Sequence, residues 1–395
     1  MEFKQVDAYR DYRAAAKAWV AANVDPQWRR EQELTGSAHT WELHRRLAAD
    51  GFLGAAWPKE YGGSGVDQGL AVAVFQEISK AGMLLDAWSS TLMVLSTVLQ
   101  VGTEQQKRTW LPAAARGEML VALGYTEPGS GSDAAAAKTR AIKDGDEWVI
   151  NGSKMFTSNA EVCTHVFLLC RTNPDVPKHH GLSMLIVPLD SPGVEIRAVH
   201  TLGKITTATF YTDVRVADAN RVGDLDGGWG VIRTALMLER GILSEAYTGS
   251  WADQGAQWAR GVRRPEGGTL LGDLVVRDHL ARIAIENEIS GLLAARVAWM
   301  VQTGGMPGDE AAASKLYSTE TGQRQLSSLR DLIGEESVLQ GDDASDFVRT
   351  VDIAHRRSIV STIGAGSSEV MREVIAERRL GLPRNRPGGG KKATA

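Results

Sequence analysis

Residues 125–133 read Tyr-Thr-Glu-Pro-Gly-Ser-Gly-Ser-Asp, a stretch rich in small and hydroxyl-bearing residues. Glycine and serine leave room for a ligand to approach the backbone closely. Exposed amides and hydroxyls in such a loop can hydrogen-bond a flat polar ring or a phosphate. The composition is equally typical of a tight loop that only joins two elements, so this stretch alone leaves both interpretations open.

A second stretch, residues 151–159, reads Asn-Gly-Ser-Lys-Met-Phe-Thr-Ser-Asn. An aromatic side chain followed by two hydroxyls could stack on a cofactor ring and hydrogen-bond its edge. Taken by itself, Phe156 is more typical of a core residue than of a cofactor contact. The two stretches gain meaning from the pattern of elements around them.

Hydrophobic periodicity predicts helices on both sides of these two stretches and strands between them. Apolar residues at helical spacing predict N-terminal helices over 11–24 and 40–50, the second ending on Gly51, and two helices over 67–101. Thr103 with Gln106 predicts a capping box that begins the next helix. Later helices are predicted over 230–260, 274–303, 309–340, 346–363 and 368–379.

Strand-like alternation dominates the middle of the chain. Residues 138–154 are predicted to be strands broken by turns at Asp144-Gly145 and Asn151-Gly152. Further strands are predicted over 162–170, 181–189, 194–199 and 207–216. The fold class is therefore α+β: an N-terminal helical domain (1–119), a middle β domain (120–226) and a C-terminal helical bundle (227–383). The glycine-rich segment 384–395 is predicted to be disordered.

Composition excludes several classes of protein. The 395 residues carry 44 Lys and Arg against 48 Asp and Glu, so the net charge is −4, which argues against nucleic-acid binding through bulk charge. The most apolar stretch, 83–101, contains Asp86 and is predicted to be a buried helix rather than a membrane span. We expect no membrane partner and a cytoplasmic location.

The cysteines and histidines predict neither a disulfide nor a metal site. Cys163 and Cys170 are seven residues apart in an apparent strand, so we expect them on opposite faces, unpaired, in a reducing compartment. His179-His180 lies in a polar connection without a nearby cluster of cysteines or carboxylates at metal-ligand spacing.

The motifs together resemble the acyl-CoA dehydrogenases. The resemblance rests on 125–133, on Ala-Trp-Pro-Lys-Glu-Tyr-Gly-Gly at 56–63, on the hairpin 144–154, on Phe-Thr-Ser at 156–158 and on 367–384. These motifs cover nearly the whole chain in the family's order. The resemblance implies the acyl-CoA dehydrogenase-like fold, bound FAD, an acyl-CoA substrate and formation of a trans-2,3-enoyl-CoA.

The resemblance also assigns residues to the cofactor and the substrate. It places Leu123, Tyr125, Thr126 and Gly131 against the flavin ring and Ser132 against flavin and substrate. It places Phe156, Thr157 and Ser158 on the other side of the ring. Ser367, Ser368 and Glu369 open the last helix, where the family places FAD, and a helix N-terminus favours anionic groups.

The reaction needs a carboxylate that removes the α-proton while the β-hydride passes to flavin N5. Many family members carry this glutamate where the present chain has Ala365. Branched-chain and long-chain members place it on the helix after the β domain, before an arginine, and the chain reads Leu238-Glu239-Arg240 there. Glu239 falls on the apolar stripe of Ile232, Leu236, Ile242, Leu243 and Ala246. We therefore predict Glu239 as the catalytic base and Arg240 as a substrate contact; a structural ion pair is the alternative.

Two segments that family homotetramers donate to a neighbour's FAD are altered here. The Arg-x-x-Phe-Gly segment reads Arg-Gly-Val-Arg-Arg-Pro-Glu-Gly-Gly at 260–268, and the Gln-x-x-Gly-Gly segment has Asp331 for glutamine and Glu335 for the last glycine. Carboxylates near a pyrophosphate would repel it. This asymmetry resembles subunits of the α2β2 acyl-CoA dehydrogenases of bacterial steroid side-chain degradation. A paralogous partner subunit is therefore expected, with a homotetramer that binds FAD by other contacts as the alternative.

The resemblance leaves several points of function open. It implies an electron-transfer flavoprotein as electron acceptor and a base position compatible with a bulky or branched acyl chain, a steroid side chain among them. A flavin monooxygenase or nitroalkane oxidase on the same fold is one rival. A catalytically silent structural subunit that completes a partner's site is another.

Overall fold

The order of helices and strands follows the sequence-based expectation. The computed structural model describes residues 6–37, 39–243, 251–303, 305, 308–339 and 341–383. Within these residues, helices come first, strands follow, and helices return after residue 228. The α+β class with its helical, β and helical parts is therefore confirmed. The predicted disordered tail, 384–395, lies outside the described residues.

The N-terminal part packs its helices around a core of aliphatic and tryptophan side chains. Its helices are α1 (Val6–Asn23), α2 (Pro26–Thr35), α3 (Trp41–Ala49), α4 (Gln68–Lys80), α5 (Asp86–Val101) and α6 (Glu104–Ala115). The predicted capping box begins α6: the amide of Gln106 donates to Thr103 Oγ1 at 3.3 Å, and the amide of Thr103 donates to Gln106 Oε1 at 3.0 Å. Gly51 has φ +78°, as a residue just after a helix end requires.

Helix α2 was not predicted, although its start carries ordinary signals. Asp25 accepts a hydrogen bond from the amide of Gln27 at 2.9 Å, and Pro26 occupies the first helical position. An acidic cap followed by proline is a common helix start. Helix α2 is rich in charged and polar residues, so hydrophobic periodicity did not mark it.

Two buried histidines lie in the N-terminal core beside tryptophans. The rings of His39 and His44 have centroids 5.1 Å apart, and His44 lies 5.8 Å from Trp88 of α5. In the described part of the chain, none of their four ring nitrogens has a hydrogen-bond partner. Burial lowers the pKa of His39 to about 4 and, with His39 and Arg45 nearby, that of His44 to about 3. Both rings are therefore neutral near pH 7.

The middle part is one sheet with strand order β6-β7-β3-β2-β4-β5-β8, in which β1 also pairs with β4. The strands are β1 (Val121–Gly124), β2 (Arg140–Asp144), β3 (Glu147–Lys154), β4 (His165–Arg171), β5 (Leu182–Pro188), β6 (Val194–His200), β7 (Ile205–Ala217) and β8 (Arg221–Val222). The ends of β1 and β3 lead directly into the two stretches singled out from the sequence.

The predicted turn at Asn151-Gly152 is wrong, whereas that at Asp144-Gly145 is confirmed by the β2–β3 connection. Strand β3 continues through Asn151 with an irregular register between Ile150 and Gly152, as in a β-bulge. Asn151 binds Asp213 of β7, and a Cβ at Gly152 would lie 2.8 Å from the Thr139 backbone. Pairing with β7 therefore overrides the local turn preference.

The cysteines are both free and buried. Cys170 lies in β4, but Cys163 lies in the loop before it, so the expected placement of both in one strand is wrong. Burial raises the pKa of both thiols, that of Cys170 to about 12, which keeps them protonated.

The C-terminal part consists of long helices with a second apolar core of their own. The helices are α7 (Gly228–Leu243), α8 (Trp251–Gly261), α9 (Leu274–Gln302), α10 (Gly308–Ile333), α11 (Asp346–Ser361) and α12 (Ser368–Arg378). The helix predicted over 309–340 ends early, because Gly334 takes a left-handed φ of +70° and a 3-10 turn follows. Residues 244–250, inside the helix predicted over 230–260, lie outside the described part.

The first and last parts of the chain are joined by a shared carboxylate. Glu33 of α2 accepts from Arg29 Nε at 2.9 Å and from Arg349 Nε of α11 at 3.1 Å. Arg29 also donates to Thr350 of α11. Arg357 of α11 donates to the carbonyl of Gly203, which precedes β7. Helix α11 therefore contacts both the N-terminal helices and the sheet.

The predicted buried helix over 83–101 corresponds to α5, whose residues largely face the core. Among the described residues, no helix is long and apolar enough to cross a membrane.

Candidate functional site

The loop after β1 forms a closed turn with open space above its glycines. Glu127 and Ser130 exchange two backbone hydrogen bonds of 3.0 Å each, which fixes Pro128 and Gly129 at the tip. A Cβ placed on Gly129 or on Gly131 would meet nothing within 4 Å. The loop is therefore accessible along its backbone, as its small residues predicted.

Three polar groups of this loop lack partners among the residues that the structure describes. Within the described chain, the backbone amides of the exposed residues Gly131 and Ser132 donate to no protein acceptor. The hydroxyl of Ser130 is buried and also has no partner there. Because buried polar groups are nearly always satisfied, an oxygen- or nitrogen-rich ligand edge or ordered water is expected at this loop.

The second stretch, after β3, lies beside the first, because the amide of Met155 donates to the carbonyl of Thr126 at 2.9 Å. Phe156 takes a left-handed φ of +58°, and its side chain is 56% exposed. A bulky residue in that conformation is strained, and such strain often marks a functional site. The ring is therefore available for a ligand rather than packed in the core.

The hydroxyls of Thr157 and Ser158 face strand β7. Thr157 is fully buried, and its Oγ1 lies 3.2 Å from Oγ1 of Thr209. Ser158 Oγ lies 2.8 Å from Oγ1 of Thr206, while Thr207 donates to the Thr157 carbonyl. These contacts hold the backbone that carries Phe156; direct contact of either hydroxyl with a ligand remains a prediction.

A buried ion pair, not foreseen from the sequence, joins the two stretches. Lys154 Nζ lies 2.8 Å from Glu127 Oε1, with the lysine side chain 0% and the glutamate 8% exposed. Burial raises the pKa of a carboxyl, but the Lys154 ammonium and the amides of Thr139 and Lys138 outweigh it and hold the pKa of Glu127 below its usual range. The carboxylate is therefore ionised.

A third element, the start of α12, presents the predicted Ser367, Ser368 and Glu369. Ser367 caps the helix by accepting from the amide of Val370 at 3.3 Å. The preceding turn contains Ala365 at φ +55° and is tied to α10, because Lys315 Nζ donates to the carbonyl of Gly366 at 2.5 Å. The helix start is thus held from the side by a cation.

A cavity of about 630 Å³ lies between α9, α10 and the start of α12. It brings Ser368 and Glu369 together with Glu320 and Asp331 of α10. Glu320 is engaged by Arg372 through two contacts of 2.7 and 2.8 Å. The predicted cofactor residues of α12 therefore share a cavity with Asp331, one of the two substituted carboxylates noted in the sequence.

The position of the predicted base is described only at the backbone. Residue 239 lies in α7, one turn after the fully buried Ala235 and two turns after Ile232, which is 1% exposed. Positions at this spacing share a helix face. The side chains of Glu239, Arg240, Ile242 and Leu243, and the whole of Ala246, lie outside the described part.

The residues present fit a flavin nucleotide better than a purely structural loop. Leu123 lies in β1, and Tyr125 and Thr126 follow that strand into the open loop. The groups at 130–132 that lack partners in the described chain suit a polar ring edge, and the exposed Phe156 suits a ring face. The start of α12 suits a polar or anionic group. What sequence reasoning missed are Lys154 and Lys315, whose partners lie far along the chain.

Comparison with known proteins agrees with this arrangement. Family models of the acyl-CoA dehydrogenase N-terminal, middle and C-terminal domains match residues 7–118, 122–214 and 226–380. Acyl-CoA dehydrogenase FadE26 of Mycobacterium tuberculosis is 33% identical over 400 residues, covering 97% of this chain and 99% of its own. FadE29 of the same organism is 35% identical over 385 residues, covering 95% and 97%.

Solved structures show the same likeness. The structure named Tcur3481-Tcur3483 steroid ACAD matches with a TM-score of 0.88 at 34% identity, covering 98% of this chain and all of the matched chain. The ChsE4-ChsE5 complex from Mycobacterium tuberculosis matches with a TM-score of 0.87 at 34% identity, covering 97% and 100%. With three family domains in order across its length, the chain belongs to the acyl-CoA dehydrogenase family of oxidoreductases.

Proposed function

We propose that the chain is a subunit of an FAD-dependent dehydrogenase that converts a bulky or branched acyl-CoA into its trans-2,3-enoyl-CoA. The observation that carries this proposal is the open loop at 129–132, whose Gly131 and Ser132 amides and Ser130 hydroxyl have no partner among the described residues. The neighbouring stretch adds the exposed ring of Phe156. Names of similar proteins add the substrate class: one matched structure is called a steroid ACAD. A steroid side-chain thioester is therefore our first candidate.

The flavin-facing roles follow from this arrangement. Leu123, Tyr125, Thr126 and Gly131 would contact one side of the ring, with Ser132 reaching flavin and substrate. Phe156 would cover the other side, on a backbone held by Thr157 and Ser158. Ser367 and Glu369 would meet the far end of FAD at the start of α12. FAD would supply the acceptor for the β-hydride.

We propose Glu239 as the base that takes the α-proton and Arg240 as a substrate contact. Residue 239 follows the buried Ile232 and Ala235 on one face of α7, which supports this role, because apolar surroundings give a carboxyl the raised pKa that suits a general base. Ala365 cannot act as a base at the other family position. The proton would pass to the Glu239 carboxylate and the hydride to FAD, which would be re-oxidised by an electron-transfer flavoprotein.

We further propose that a paralogous subunit completes the assembly. Glu320, Asp331 and Glu369 line the cavity beside α12, and Arg324 is the cation that lines it with them. Arg324 itself contacts Glu286 at 3.4 Å. A pyrophosphate in this cavity would face more negative than positive charge, so the chain alone would hold the far end of FAD only weakly at α12. Two matched structures carry the names of two proteins each, and one of them is named as a complex, which supports an α2β2 assembly over a homotetramer.

Anaerobic titration of the flavin with acyl-CoA esters tests the proposal. A panel of straight-chain, branched and steroid thioesters is added to the chain with and without a co-expressed paralogous subunit. We expect bleaching of the flavin by bulky esters in the presence of the paralogue. Absence of bleaching by every ester, or rapid re-oxidation by O2 with a nitroalkane substrate, would contradict the dehydrogenase assignment.

A further inference from the structure

One lysine joins the two segments that we propose on either side of the flavin ring, the loop 125–133 and the segment 154–158. Lys154, the last residue of β3, directs its Nζ to the carbonyl of Tyr125 at 3.3 Å and to Glu127 Oε1 at 2.8 Å. The next residue, Met155, donates its amide to the carbonyl of Thr126 at 2.9 Å. Two successive residues of the second segment, Lys154 and Met155, therefore bind two successive residues of the loop, Tyr125 and Thr126.

The partner carboxylate also holds the exit of the loop. Glu127 Oε2 accepts from the amide of Lys138 at 2.7 Å, and Oε1 accepts from the amide of Thr139 at 2.8 Å. Between residues 127 and 138 lie the open glycines and the unpartnered amides. One side chain thus fixes the start of the loop, its end and its neighbour β3.

Burial makes this arrangement sensitive to the loss of either charge. The Lys154 side chain is fully buried, and Glu127 is almost so. Removing one partner leaves an uncompensated charge away from water, whereas removing both leaves none. Comparing the single variants with the double variant therefore distinguishes the effect of a lone buried charge from the effect of altered side-chain bulk.

We propose that the Glu127–Lys154 pair is a positioning pair that sets the spacing between the loop 125–133 and the Phe156 segment, and thereby the environment of the flavin ring. The inference rests on the proposed FAD site, but its effect on the two segments exists without flavin. Neither residue needs to touch the flavin, because each acts through the backbone that it holds.

Three variants test the pair: Lys154→Met, Glu127→Gln and the double variant. Each single variant is expected to weaken FAD binding about tenfold or more and to shift the flavin absorption spectrum and reduction potential. The double variant is expected to lose less affinity than the two single losses combined, since no lone charge is buried. In the flavin-free state, all three variants should show faster amide hydrogen exchange than the wild type in both 125–133 and 154–158.

Lys178→Met is the matched control, because Lys178 pairs with Asp133 of the same loop at 2.5 Å but both side chains are about half exposed. It should leave exchange, spectrum and potential unchanged. A Lys154→Met variant that behaves like this control overturns the proposal.

The double variant decides the case even where a single variant does not fold. Faster exchange in both segments supports the proposal, and unchanged exchange in both overturns it. If the wild-type chain, alone and with its paralogue, binds no FAD, the proposed function fails, while the exchange comparison still tests the pair.

Discussion

Two residues decide where the proton goes in the proposed reaction. At one of the two family positions for the base, the chain has Ala365, whose side chain is only a methyl group. Its left-handed φ of +55° shows that the turn adopts this strained conformation without a carboxylate at that position. Residue 239 occupies the other position, on the face of α7 that carries the buried Ile232 and Ala235. The proposed reaction would therefore depend on a single glutamate, Glu239.

Glu239→Gln is expected to retain FAD and to lose flavin reduction by acyl-CoA by roughly 10²–10⁴-fold, since a positioned general base contributes that much. Stopped-flow bleaching under anaerobic conditions measures it. Glu118→Gln, at an exposed glutamate that pairs with Arg116, serves as the control and should reduce normally. Near-normal bleaching by the Glu239 variant would rule this residue out as the base.

At the residue scale, the sequence motifs indicated which residues belong to the candidate site but not which side chains contact one another. Glu127 stood inside the quoted loop and Lys154 inside the second stretch, yet nothing local indicates that side chains 27 residues apart share a buried contact. Phe156 shows the reverse: composition favoured the core, and the structure leaves the ring more than half exposed because its backbone is left-handed. Tertiary contacts, not propensity, settled both.

At the scale of elements, the start of α12 depends on a cation from α10. Lys315 holds the carbonyl of Gly366, just before the cap at Ser367. A hydrogen bond from a charged donor contributes about 1.5–3 kcal/mol. The orientation of the first turn of α12 therefore depends on a residue outside any sequence motif.

Lys315→Met is expected to weaken FAD binding by about ten- to a hundredfold, in keeping with the loss of one charge-assisted hydrogen bond. Calorimetric titration of the flavin-free protein with FAD measures the change. Arg282→Met, at an exposed residue of α9 paired with Asp278, should bind FAD like the wild type. Equal affinities for the two variants would show that the turn does not need the lysine.

The two buried histidines of the N-terminal core predict acid sensitivity. Unfolded histidine has a pKa of about 6.5, whereas burial lowers the pKa of His39 to about 4 and of His44 to about 3. As pH falls below about 6.5, the unfolded chain binds protons first. The free energy of unfolding should therefore decrease towards about pH 4, by up to about 1.4 kcal/mol per pH unit for each histidine.

His44→Phe is expected to flatten this dependence while keeping the fold, because the ring nitrogens have no partners in the described chain to lose. Urea unfolding at about pH 5 and about pH 7 compares the variants. His180→Phe, at an exposed histidine, should keep the wild-type slope. If the free energy of unfolding of the His44 variant depends on pH as in the wild type, other groups cause the loss of stability in acid.

Elements with local signals were predicted well, and those with long-range causes were not. Thr103 and Gln106 marked α6 because a capping box is contained in four residues. Asn151-Gly152 misled because strand β7, more than 50 residues away, pairs across it. Gly334 ended α10 where periodicity alone continued the helix.

At the scale of the whole molecule, the cavity beside α12 argues that the chain acts with a partner. Asp331 and Glu369 share this cavity, and the segment that follows α10 adds exposed glutamates at 335 and 336. Sequence alone identified the substituted positions, but only the fold shows Asp331 in the same cavity as the α12 residues.

The chain purified alone is expected to hold well under one FAD per chain, and the co-purified complex about one FAD per two chains. Absorbance of released flavin against protein concentration measures both. Asp331→Gln with Glu335→Gly, which removes the two carboxylates, should raise the FAD content of the chain alone. Stoichiometric FAD and full activity in the unmodified chain alone would contradict the need for a partner.

The shared carboxylate of Glu33 has a consequence for the timing of synthesis. Its partner Arg349 lies 316 residues later in the chain. At ribosomal speeds of about 5–20 residues per second, Glu33 emerges roughly 15–60 seconds before Arg349 exists. During that interval α11 has not yet been synthesised, so the face of α2 that contacts it is exposed to solvent. The nascent N-terminal helices must therefore remain unaggregated until nearly the whole chain has left the ribosome.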